Sequence, residues 1–502
     1  MHTARKLPNL AAIGWLVVAA AASAGPIEVL YSTIPGDPTN AIPGTPGLTF
    51  KNLWRPYRSP NGKYWGMRAN SDFFDGGSLL LYGRNKSATA LAYYGTTIPG
   101  GQPGEFVTNV DHQLGIRNDG RVAFGVNTSF GSGPEPSPDE YILLWDPLGG
   151  MSVYLRETDQ IPGFAPGVTY GPLIGETHLL EDGTVCFNTI NAIGLPTSQN
   201  VLYLRGGTVV AQEGVTVPLG QALGGTQPWQ FFDFDGYWHS ADGSHYLLQG
   251  DLAGATNRDN VVVVDNHVVI QEGQQIFPFV SAVAGDSSGL RAVYMAPGGD
   301  WFCRGGNSDG QDWVVRNGAV VAATHAPIYT GAVEQFDDAV PNTEGFFMQA
   351  GNDVGDYVVG GYTNNASLSL NSVVVLNRTS VVAREGDRVD LNGNCLADDD
   401  AFISVFQPDQ ACLTNGRGLY FNAELRNGAG VSLGKALLRI CLGTTAGDLD
   451  CNGTVDADDA AELVRLLLGQ TTDCATALRG DVNGDTRLDG TDVQAFVDVE
   501  IP

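Results

Sequence analysis

The feature that most constrains this chain is a short signature that returns about every sixty residues. A polar residue, Asn or Asp, a glycine and then an aromatic or apolar run appear as PNGKYWGM at Pro60, NDGRVAFG at Asn118, EDGTVCFN at Glu181 and ADGSHYLL at Ala241. The series continues as PGGDWFCR at Pro297, a weaker NDVGDYVVGG at Asn352, and TNGRGLYF at Thr414. The glycines fall at 62, 120, 183, 243, 299, 355 and 416, spaced 56 to 63 residues apart. A fixed period of this size marks a repeat architecture in which each unit buries its apolar face against the next.

A second signature follows the first. It is an apolar strand, a tight polar turn, another apolar strand and, in most copies, an acidic or Pro-Gly end: VLYLRGGTVVAQEG from Val201, VVVVDNHVVIQEG from Val261, WVVRNGAVVAAT from Trp313 and VVVLNRTSVVAREGD from Val373. Gly-Gly, Asp-Asn and Asn-Gly between β-branched runs are two-residue hairpin signals. Each unit therefore offers about four short strands, which predicts a mainly β fold, a seven-bladed propeller. The last unit lacks its final strand after Lys435–Gly443, and PIEVLYSTIPGDP at Pro26 supplies a matching one. Closing the ring with that strand would remove the exposed sheet edges. A β-solenoid and stacked sandwiches also fit the spacing.

Composition agrees: 43% hydrophobic and 16% charged residues, with Gly 66 and Pro 26, describe a folded chain that turns often. The formal charge of -28 argues against nucleic-acid binding and against anionic membranes. At the N-terminus Arg5 and Lys6 precede an apolar run from Leu10 to Ala22 and the small residues Ala22-Ser23-Ala24. That is a secretory signal pattern, and no other segment is long and apolar enough to span a membrane. The expected division is a signal peptide at 1–24, a propeller at 25–443 and a small α-helical calcium-loop domain at 444–502. The expected location is secreted, cell-surface or periplasmic. Among the seven cysteines, Cys395 with Cys412 and Cys451 with Cys474 are the expected local disulfides.

Near the C-terminus, GDLDCNGTVDADD places Asp448, Asp450, Asn452, Asp456 and Asp459 at positions 1, 3, 5, 9 and 12 of a calcium loop. Gly453 sits at the sharp turn, and Thr454 at position 7 would offer its backbone carbonyl. The pattern recurs 33 residues on, with Asp481, Asn483, Asp485, Asp489 and Asp492 at the same positions and the Arg487 carbonyl at position 7. Thr486 replaces the turn glycine. A helical stretch follows each loop. A third candidate, DLNGNCLADDD, puts Asp390, Asn392, Asn394 and Asp398 in similar spacing, with Asp399 or Asp400 to complete it.

Two loop-helix units in tandem, with Asp at position 12 and no entering helix, resemble a type I dockerin over about a tenth of the chain. The resemblance implies about two bound Ca2+ ions in a folded tether, and a cohesin-like protein or cell-surface component as partner. Positions 10 and 11, which read cohesins, are Ala457-Asp458 and Gly490-Thr491 where Ser or Thr is common. The body more loosely resembles secreted planctomycete-type β-propeller repeat proteins, a resemblance that carries no established activity.

There is no His-Glu-x-x-His or P-loop, and the Gly-x-Ser-x-Gly strings at Gly285, Gly306 and Gly430 lie among the predicted strands rather than ahead of a helix, where a nucleophile elbow would sit. His239 and His245 flank a turn and could share a site, and SADG at Ser240 and NSDG at Asn307 read as turns. Glu157, Glu213, Glu272 and Glu385 recur at equivalent hairpin ends, which points to a structural role. Two functions fit. One is an exported noncatalytic propeller that binds a ligand such as a glycan, on a dockerin-like tether; the other is a secreted polysaccharide-active enzyme, a glycoside hydrolase or lyase, with the same tail.

Overall fold

Six four-stranded antiparallel sheets follow one another along the chain, at residues 50–93, 107–156, 173–212, 229–271, 290–323 and 346–384. A seventh takes three strands from residues 402–441 and its outer strand from the other end of the chain. This is the seven-bladed propeller that the repeat predicts. The computed structural model describes residues 27–500 except 73–76, 85, 131–137, 223–224, 338–343, 395, 397, 444, 470–475, 477–478 and 485–487. The expected signal segment lies outside the described residues.

Closure runs through Ile27–Ser32, which pairs antiparallel with Ser432–Cys441, while the short Val389–Asp390 adds in parallel outside it. Every residue of that first strand is buried. Glu28 lies opposite Arg439 in the register and accepts from its Nη2 at 2.7 Å, both side chains being within 2% of full burial.

The recurring turns form a second ring of contacts. Asn61 N donates to Asn118 Oδ1 (2.6 Å), Asn118 N to Glu181 Oε1 (2.9 Å), and Glu181 N to the Ala241 carbonyl (2.9 Å). Ala241 N continues to the Pro297 carbonyl (2.8 Å), and Asp353 N to Asn415 Oδ1 (3.0 Å). All the signature turns therefore lie on one face. Gly62, Gly120, Gly183, Gly243, Gly299 and Gly355 each have positive φ, which explains why glycine recurs there. The seventh turn differs: Arg417 takes the left-handed position, and Gly416 is needed because Cys451 and Gly453 press against it.

The outer hairpins also form as their residues predict. Gly206-Gly207, Asp265-Asn266, Asn317-Gly318 and Asn377-Arg378 have positive φ at both turn positions, the geometry whose twist matches paired strands. The repeated Glu157, Glu213, Glu272 and Glu385 each donate a backbone N–H across the hairpin, to a carbonyl at or just before the start of the third strand of the blade. Blades meet through interleaved aromatics, as where Tyr203 of the third packs on Phe232 and Tyr237 of the fourth.

Glu28→Gln leaves Arg439 buried beside a neutral partner. We expect the unfolding free energy to fall by about 3 kcal/mol, read from urea denaturation of the full chain. An unchanged midpoint would mean that this pair does not secure the ring.

Candidate metal centre and channel mouth

Two places gather polar groups that strand pairing does not consume: the first acidic loop and one mouth of the central channel.

The first loop leads into helix α1, Ala457–Leu467, and the second into α2, Gly490–Glu500. Asp456 caps α1 by accepting from Asp458 N, and Asp459 reaches back to the Asp456 N–H, a capping box. Asp459 also accepts from the N–H groups of Leu449 (2.7 Å) and Asp450 (3.1 Å), folding the loop over the helix start. Asp448 accepts from Asn452 N and Gly453 N, and Gly453 has φ +93°. Asp448, Asp450 and Asp459 are all buried, and an oxygen from each lies within 4.8 Å of the others.

Such crowding is unfavourable without a cation. Burial pushes the Asp448 carboxyl up to about 6 against the pull of Arg479. Burial, then the Asp450 charge, pushes Asp459 to about 7. Asp450 Oδ2 is buried, accepts no hydrogen bond among the described residues, and faces Arg84 Nη2 at 3.5 Å. A converging, buried all-oxygen donor set of this kind fits a hard divalent cation.

The second loop repeats the first where it is described. Asp492 accepts from Asn483 N (3.3 Å) and Asp489 N (2.9 Å), and Asp489 accepts from Thr491 N (2.8 Å). Asp485 and Arg487 lie outside the described residues. In the third candidate, Asp399 accepts from Leu391 N and Asn392 N, and Asp390 from Gly393 N and Asn394 N. No convergent ligand trio appears there among the described residues.

The first loop is fixed to the propeller. Cys451 is disulfide-bonded to Cys441 of the seventh blade, and its carbonyl accepts from Thr414 Oγ1 (2.7 Å). Asp458 pairs with Lys63 and with Arg84 Nη1 (3.0 Å) of the first blade. The expected pairings of Cys451 with Cys474 and Cys395 with Cys412 are thereby corrected. The seventh turn carries Cys451 to the last strand, and Cys412 is a free buried thiol in the propeller.

The channel mouth lies away from the signature turns. Its polar residues come from β-bulges in the inner strands, where the register skips: Arg55 between Leu53 and Pro56, Asp111-His112-Gln113 between Val110 and Leu114, and Glu176 between Gly175 and His178. Asp233 and Asp235 lie between Phe232 and Tyr237, and Asp409 between Phe406 and Ala411. A bulge re-aims side chains that a regular strand would alternate. Glu176, Asp235 and Asp409 take positive φ to do so.

Arg55 stacks over Trp238, 4.5 Å from its ring centroid, with Tyr294 and Tyr57 beyond, and so separates the mouth from the inner channel. Below it His178 and His239 are buried and held neutral by burial, His178 down at about 4. His245 instead contacts Asp265 at the surface, so His239 and His245 share no site. Above Arg55, burial pushes Asp111 up to about 7, Arg68 opposing, and Glu140 to about 8. Burial and then the Asp235 charge hold Glu176 well above the carboxylate range. These acids escaped sequence reading because they break the repeat; the departures from strand alternation at DHQ, ET and DFD are the signal for them.

A family model, the Dockerin type I domain, matches residues 446–496. No curated protein matches the chain. Among solved structures, an oligogalacturonate lyase from Vibrio parahaemolyticus aligns at 11% identity and TM-score 0.39, covering 84% of this chain and 97% of that one. Kuenenia stuttgartiensis hydrazine synthase aligns at 12% identity and TM-score 0.38, covering 78% and 99%. Prolyl oligopeptidase B from Galerina marginata aligns at 9% identity and TM-score 0.35, covering 76% of this chain; the chain spans 47% of its length.

Asp111 offers a pH test. Its folded pKa is raised, so the unfolded state loses its proton first as pH rises. Stability contributed by the protonated folded form declines between about pH 4 and pH 7 and stays low above. Asp111→Asn should flatten that decline and add on the order of 2 kcal/mol at pH 8, measured by denaturation across pH. An unaltered pH slope would place the carboxyl in water.

Proposed function

We propose that this is an exported, noncatalytic binding propeller whose dockerin module is a calcium-folded attachment device. The convergence of buried Asp448, Asp450 and Asp459 within the matched dockerin segment carries the reading. In it Asp448, Asp450, Asn452, Asp456 and Asp459, with the Thr454 carbonyl, hold one ion. Asp481, Asn483, Asp485, Asp489 and Asp492, with the Arg487 carbonyl, hold the second. Bound calcium supplies loop folding and no bond chemistry. The segments assigned are a signal peptide at 1–24, the propeller at 25–443 and the module at 444–502. The Cys441–Cys451 disulfide supports an oxidising destination outside the cytoplasm. The partner of the module is a cohesin-like protein or surface component. No helix among the described residues is long and apolar enough to cross a membrane.

The binding surface in this reading is the channel mouth. What favours binding over hydrolysis is how its acids are held. Glu140 accepts from Asn127 Nδ2 and Ile174 N, and Glu176 from the Tyr203 hydroxyl and Tyr237 N, so both oxygens of each are engaged. Cleaving a glycosidic bond calls on a pair of available carboxyls. A polysaccharide-active enzyme would have to draw a second acid from this set beside Asp111.

Calorimetric titration of the full chain with Ca2+ should give about two ions per chain, and Asp459→Ala should remove one. An absence of heat would overturn the assignment. Release of sugar by the calcium-loaded protein in a polysaccharide screen would overturn the noncatalytic reading.

A further inference from the structure

Resting on the reading of the mouth as a binding surface, the chemistry of its wall narrows the ligand. A cavity of about 140 Å³ opens between the second, third and fourth blades. Four carboxyls line it: Asp111, Glu140, Glu176 and Asp235. The cation set against them is Arg68 beside Asp111; its Nη2 is committed to Asn109 Oδ1 at 3.1 Å, and its Nε and Nη1 are buried with no hydrogen-bond partner among the described residues. Gln113, 2% exposed, also lines the cavity. Its Nε2 donates to Asp235 Oδ1 at 2.8 Å, and its Oε1 is buried with no donor among the described residues. A buried acceptor without a donor costs free energy unless a ligand or water supplies one.

Three of the wall donors are already taken. Ile174 N is spent on Glu140, Gly175 N on Asn188 Oδ1 at 3.0 Å, and Asn188 Nδ2 points to the Tyr203 hydroxyl. Burial holds Asp111, Glu140 and Glu176 on its wall toward their protonated forms, and a cationic ligand would compensate their charge as those protons leave. At its rim Phe234 is 73% exposed, an aromatic face kept in solvent, with His112 packed edge-on to it at 6.4 Å. A polar hollow of about 470 Å³ shares Phe234 and Asp235 and adds Asp233, Glu344 and Asp409, with Arg55 and Arg291 also on its wall.

We propose that the mouth binds an organic ammonium ion, a primary amine on a short apolar stem. The amine donates to Gln113 Oε1 and to the Asp111 carboxyl, and the stem lies across Phe234. Three N–H donors answer the acceptors of the wall, positive charge answers the acids, and an aromatic face attracts a cation. The remainder of a larger ligand extends into the adjoining hollow.

The test is calorimetric titration of the full calcium-loaded chain with pentane-1,5-diamine, and with pentane-1,5-diol as an uncharged match. The expected result is saturable binding of the diamine, with the diol at least about tenfold weaker. Asp111→Asn should weaken the diamine about tenfold. Phe234→Ala, at an exposed position that leaves the fold intact, should weaken it about threefold. Equal affinity for both compounds, no saturable binding of the diamine, or binding unchanged in both variants would overturn the inference. If the diol alone binds, the ammonium assignment fails and the mouth still stands as a binding surface.

Discussion

Everything in this molecule depends on one strand crossing from the start of the chain to its end. Ile27–Ser32 fills the outer place in the seventh blade, and without it Ser432–Cys441 would be a bare edge. The Glu28–Arg439 pair sits inside this closure, so the strand is tied by charge as well as by its ladder. A closed ring holds the inner strands in fixed relation, which lets bulges on separate blades face one another across the mouth. It also brings the Cys441 end of the last strand to the turn face, where the acidic module attaches.

The two faces of the ring thus divide their work. One face is a girdle of glycine turns linked by hydrogen bonds, and the first acidic loop rests on it through Thr414, Lys63, Arg84 and a disulfide. The other face is irregular, acidic and open. Regularity belongs to the attached side because repeating turns need repeating residues. Chemical individuality belongs to the other side because it arises where inner strands skip register.

That division explains what could be read from the residues alone. Gly62 through Gly355 announced the blades because a left-handed turn admits few substitutes, and Asn317-Gly318 announced a hairpin for the same reason. The spacing from Asp448 to Asp459 announced an acidic loop folded over a helix start, and its hydrogen bonds recur from Asp481 to Asp492. The partner of Cys451 could not be read, because it depends on where the module lands on the ring. Asp111, Glu176 and Asp235 lie more than fifty residues apart and meet only after closure. His239 and His245 read alike at the two ends of one turn, and only the fold buries the first and leaves the second half-exposed beside Asp265.

The central claim is that calcium organises the attachment module while the propeller stands by its own closure. Hydrogen exchange of the full chain with calcium and with chelator tests it most directly. The account predicts that backbone amides of residues 448–459 and 481–492 lose protection when calcium is removed, while those of the inner strands keep theirs. Inner strands that open with the loops, or loops indifferent to calcium, would contradict it.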